Sequence, residues 1–202
     1  MLNQKSLPLN RLVPTPKILP NFRRNGTIAG NVVQHLRKTM TLILENTKQV
    51  EFHTELYEIV EPFEKEFSEL NWLLTNQDYR ILDFDQKGGI EKLNFESDRI
   101  TFSGIELLEI IKTRKIDFIW CVFCGFKNEI PKLKKTELPY ADLNSDIWNK
   151  PNEFLNEQSE IEIISFDGTA TIFKTKNVEI ENKFCEKFTD AIELKKTLHN
   201  NV

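Results

Sequence analysis

Hydrophobic positions along this chain come in bursts separated by polar stretches that carry proline or glycine. The densest burst lies in Lys115 to Ile130, KIDFIWCVFCGFKNEI. Its centre, Ile116 to Phe126, is broken only by Asp117 and Gly125 and is rich in β-branched and aromatic residues. A run of that composition predicts a strand covered on both faces, and therefore a central strand. The neighbouring patterns predict its cover. Thr41 to Glu45 reads as a short strand, and Phe52, Leu56, Ile59, Val60 and Phe63 recur at helical spacing. They predict an amphipathic helix over residues 49–61 that Pro62 ends or kinks.

Leu70 to Thr75 and Tyr79 to Phe84 read as a hairpin turning at Asn-Gln-Asp, with a second turn at Gln86 to Gly89. Arg99 to Phe102 is a further strand. Ser103 and Glu106 then form a capping-box pattern, opening a helix whose face carries Ile105, Leu107, Leu108, Ile110 and Ile111. That helix leads into the central strand, which implies a right-handed crossover if the two strands are parallel. A long polar stretch follows Pro131 and continues to about Gln158, longer than loops in compact domains usually run. Glu160 to Phe166 and Thr169 to Thr175 are joined by Asp167-Gly168, the strongest hairpin signal in the chain. Asn177 can cap a last helix lined by Val178, Glu181, Phe184, Cys185 and Phe188, and the chain after Asp190 is expected to fray. The expected class is α+β: a single mixed sheet with a buried central strand at about 116–124, packed by two or three helices.

Charge divides the chain. Residues 1–39 contain Lys5, Arg11, Lys17, Arg23, Arg24, Arg37 and Lys38 and no acidic residue, with four of the eight prolines. Without those seven, 20 basic residues face 31 acidic ones, a balance of −11. The expected organisation is a basic, proline-containing leader over 1–39, disordered or partly helical at 28–40. A single domain over 40–190 follows, then a frayed tail over 191–202. The leader can be dispensable, an interaction arm or a targeting segment. Its prolines oppose the amphipathic helix of a transit peptide, and one aromatic among seven charges makes a weak nucleic-acid patch. Nucleic acid is therefore not expected except through this arm. No apolar run nears the roughly 20 residues that span a bilayer. Three cysteines in apolar settings suit reduced thiols and a cytoplasmic location.

Candidate chemistry is sparse. Cys121 and Cys124 spell C-x-x-C, but within a strand a separation of three puts the sulfurs on opposite faces. His35, His53 and His199 are too scattered to propose a triad, and no G-x-S-x-G or phosphate-binding glycine motif occurs. Asp83 and Asp85 read as a solvated strand face. Asp142, Asn144 and Asp146, with Glu153 at the twelfth position, match part of a calcium loop. Ile147 stands where that loop needs glycine, and Pro151 falls inside it. Trp72 and Trp120 read as core. Trp148, in the long polar loop near Tyr140 and Phe154, either pins that loop or anchors a partner.

FIWCVFCGF-x-x-x-IP, then LPYAD, then a closing EIEI…D-G hairpin resembles small bacterial cytoplasmic proteins of unknown function, over about Glu51 to Phe188. The resemblance implies an α+β fold and no particular activity. The cysteine pair and the basic leader depart from that pattern. Two functions remain open. One is a non-enzymatic binding domain, such as an immunity-type inhibitor, whose acidic surface docks a basic protein through Asp142, Asp146, Trp148 and Glu153. The other is a small metal-dependent enzyme using the acidic loop 142–153. No cofactor is expected.

Overall fold

A computed structural model describes residues 40–83, 90–94 and 96–196. The expectations for the leader, for a helix at 28–40, for the turn at 86–89 and for the last residues lie outside that range. Among the described residues seven strands form one sheet: β1 (Leu42–Glu45), β2 (Asn71–Ile81), β3 (Arg99–Ser103), β4 (Ile116–Phe126), β5 (Ile161–Phe166), β6 (Ala170–Thr175) and β7 (Ile192–Glu193). Their order is β3-β2-β4-β5-β6-β1-β7, which puts β4 inside the sheet as its composition demands. The class is α+β.

The sheet is not mixed: each ladder is antiparallel. β3 and β4 do run in the same direction, because each is antiparallel to β2, which lies between them. The helix joining them, α3 (Gly104–Thr113), thus crosses over one intervening strand. Its capping box is formed as the sequence predicts, Ser103 Oγ accepting from the Glu106 N–H at 3.3 Å. Gly104 is required where α3 starts, since a Cβ there would lie 2.3 Å from the Phe67 carbonyl oxygen.

The expected hairpin at 70–84 is instead one long strand, β2, with a bulge where a turn was expected. Thr75 pairs with Val122 and Asp78 with Trp120, so β2 holds one extra residue. Tyr79 then pairs with Phe118, so β4 holds one extra residue at Ile119, and the register is restored. Each strand consequently exchanges its faces. Trp72 and Leu74 share a core with Tyr79, and Cys121 and Phe123 share it with Ile116 and Phe118. Trp120, expected in the core, sits at the bulge and is only half buried.

Two cores lie on the two faces. One is covered by helices α1 (Leu56–Val60), α2 (Glu64–Ser68), α3 and α5 (Val178–Lys187). The helix expected over 49–61 is confined to α1, and Pro62 lies inside a 3-10 turn, Glu61–Phe63, that leads into α2. Fully buried Trp72 stacks on Phe67 with 4.3 Å between rings and donates Nε1–H to the Phe67 carbonyl at 2.9 Å. The opposite face is covered by the long segment after β4, through Ile130, Leu133, Ala141, Ile147, Trp148 and Leu155. The Asp-Gly hairpin is present, with Asp167 and Gly168 at φ 53° and 62°. Residues 191–196 do not fray as expected. Ile192 pairs with Ile43, and the Leu194 N–H reaches the Thr41 carbonyl at 2.9 Å.

Candidate partner-binding loop

Within the long segment, polar side chains fold the backbone at one place into an ordered, exposed apex, Tyr140–Asp146. Its anchor is Asn76, one of the two β2 residues that face Cys121 at the bulge, whose backbone has φ 52°. Asparagine tolerates that conformation better than most residues. The Asn76 Oδ1 accepts from the Ala141 N–H at 2.8 Å and from the Asp142 N–H at 3.0 Å. Asn144, buried, completes the turn. Its Nδ2 donates to the Tyr140 carbonyl at 2.8 Å, and its Oδ1 accepts from the Asp146 N–H at 3.0 Å.

Between these fixed points stands Leu143, at φ 59° and 92% exposed. A left-handed backbone is costly for a residue with a Cβ and persists only where neighbours over-determine it, by about 1–3 kcal/mol. Here those neighbours are two asparagine side chains. Tyr140 is half exposed beside it, and the carboxylates of Asp142 and Asp146 flank it, both residues exposed. Asp146 also pairs with Lys150 at 3.1 Å, holding that ammonium above its ordinary pKa.

Trp148 points the other way. It lies on α4 (Asp146–Asn149), where the sequence suggested irregular loop, and its ring meets Phe166 edge-on at 5.0 Å. Phe166 in turn meets Trp120 at 4.7 Å. Of the two roles considered, the geometry gives Trp148 the pinning one. Ile147 beside it is fully buried. Glu153 is exposed but lies beyond α4, and its backbone carbonyl accepts from Lys174 Nζ at 2.7 Å. Just past it, Glu162 Oε2 accepts the N–H groups of Leu155 and Asn156 at 2.7 and 3.2 Å. The loop is therefore fastened at both ends, by Asn76 before the apex and by Glu162 and Lys174 after it.

The calcium-loop positions do not converge. Both polar ends of the Asn144 side chain are used inside the turn, and Ile147 is drawn into the core. Among the described residues no three His, Cys, Asp or Glu side chains are placed to hold a metal ion. The two cysteines of the C-x-x-C lie in opposite cores, as strand parity predicts. Burial pushes both thiols up, and the charge of Glu162 adds to this at Cys124.

The sequence pattern pointed to Tyr140 as an aromatic of this loop but not to Leu143 or Asn76. The signal for the turn was present in the D-x-N pattern of Asp142 to Asn144, whose short polar side chains favour such turns. Nothing local showed that the leucine inside it would stand 92% exposed. Comparison with protein-family models, with curated proteins and with solved structures gives no match.

Proposed function

We propose that this chain is a non-catalytic protein-binding domain, of the immunity-inhibitor kind, whose acidic surface docks a basic protein through the Tyr140–Asp146 apex. Leu143 supports this reading most directly: an apolar side chain held out in a strained backbone, at a site rigidified by Asn76 and Asn144. Such a residue is preorganised for an apolar socket, which limits the entropy lost on binding. The flanking Asp142 and Asp146, on a body with a balance of −11 outside the leader, suit a socket with a basic rim. Charge complementarity of this kind speeds encounter and disfavours wrong partners. Trp148 and Glu153 move to supporting roles, the first pinning the loop and the second adding to the acidic field.

The test is binding to the partner across salt concentrations, with wild type, Leu143→Gly and Asp142→Asn/Asp146→Asn. The leucine variant should dissociate faster. The double variant should associate more slowly, by an amount that fades at high salt. Full affinity in both variants overturns the proposal. A melting temperature that rises with calcium or magnesium, and no longer does so in Asp142→Ala, would favour the metal-dependent alternative.

A further inference from the structure

Residues 47–58 run across the start of β4 and are held there from several strands. The Phe118 N–H donates to the Thr54 carbonyl at 3.1 Å, the Thr54 hydroxyl donates to Asp117 at 2.5 Å, and Glu55 bridges to Asp117. From β6, the Thr171 hydroxyl donates to the His53 carbonyl at 2.5 Å. Within the segment, His53 Nε2 accepts from the Thr47 N–H at 3.2 Å. From β2, Arg80 Nε donates to the fully buried Asp117 at 2.6 Å. The Phe52 ring lies 5.3 Å from the Lys115 ammonium and 5.7 Å from the Arg80 guanidinium.

The charges of this clasp do not balance. Lys115 is the ammonium facing Glu55. It sits 2.5 Å from Glu51 and 3.7 Å from Glu55, while Glu58 accepts the Glu51 N–H at 3.2 Å and adds a third carboxylate. Asp117 beyond them is matched by Arg80. The Glu55 side chain is only 8% exposed, and its Oε2 accepts no hydrogen bond. An ionised carboxylate in that position is desolvated, crowded by like charge and incompletely satisfied.

We infer that residues 47–58 form a proton-responsive clasp, which grips the start of β4 more firmly when Glu55 is protonated than when it is ionised. Burial first, and then the charge of Glu58, holds the Glu55 carboxyl at about 7 against an ordinary 4.5. A carboxyl raised in this way contributes stability that is fully present below the unfolded value and is lost as pH rises through the folded one. The clasp therefore loosens between mildly acidic and mildly alkaline solution.

Amide hydrogen exchange of Phe118 in the full chain, at about pH 5.5 and about pH 8, reads this directly, with wild type compared to Glu55→Gln. After correction for intrinsic exchange, protection in wild type should fall about tenfold or more on going to the higher pH, and stay level in the variant. Equal falls in both proteins, or none in wild type, overturn the inference. Should Glu55→Gln fail to fold, carbon NMR of the wild-type Glu55 carboxyl decides. A titration midpoint above about 6 supports the clasp, and a lower one overturns it.

Discussion

Glu162 and Lys174 face each other across β5 and β6, with 2.9 Å between carboxylate and ammonium and at most 2% of either side chain exposed. Burial pushes the Glu162 carboxyl up and the lysine charge pulls it down, with burial the larger effect. Both side chains spend their remaining capacity on the backbone of residues 153–156. Removing one partner leaves a buried charge unmatched. Lys174→Met should destabilise the fold by about 3–5 kcal/mol, and adding Glu162→Gln should restore part of that loss. Denaturant unfolding of the two variants checks it.

Trp148→Ala should lower stability by about 2 kcal/mol, because the ring is part of the cover over Phe166 and is half buried rather than presented. Phe166→Ala should cost a similar amount, and the double variant less than the sum of the two. Unfolding midpoints at constant m-value measure the three.

Leu143→Gly should separate folding from binding. Glycine occupies φ 59° without the Cβ penalty, so stability should rise by about 0.5–1 kcal/mol or stay level. Affinity for the partner should fall by about 2 kcal/mol, read by calorimetric titration.

Cys121 and Cys124 should resist a thiol-reactive maleimide in the native protein and react once it is unfolded. Both side chains are buried, and burial keeps both as neutral thiols. Replacing either with alanine should cost about 1–3 kcal/mol through the space left behind. A disulfide between them, detected by mass spectrometry of the folded protein, would contradict their placement in opposite cores.

What could be read from the sequence was what local chemistry settles. β4 announced itself by a dense apolar run broken only by Asp117 and Gly125, α3 by Ser103 and Glu106, and the last hairpin by Asp167-Gly168. β2 was misread because Asn76-Gln77-Asp78 carries the same residues as a turn. Only the partner strand, with its own extra residue at Ile119, converts that signal into a bulge. The helix at 49–61 was overextended because Phe52 has the right spacing, yet Thr47 and Gln49 spend their side chains on residues 187–190, and residues 53–55 are tied to β4 and β6. Trp148 drew attention because a tryptophan in polar surroundings is conspicuous. That those surroundings fold over a second apolar face is a tertiary fact, carried by Ile130, Ala141 and Ile147 together.

Asn76 serves the sheet and the apex at once: with Gln77 it forms the bulge of β2, and it is the acceptor that closes the turn at Ala141 and Asp142. The two are therefore inherited together. A descendant that lost one residue between Thr75 and Asp78 would lose the anchor of the Tyr140–Asp146 apex in the same step that re-registered its central strands. Side chains at Leu143 and its flanking carboxylates can change without disturbing the sheet, but the position of the apex is locked to the length of β2.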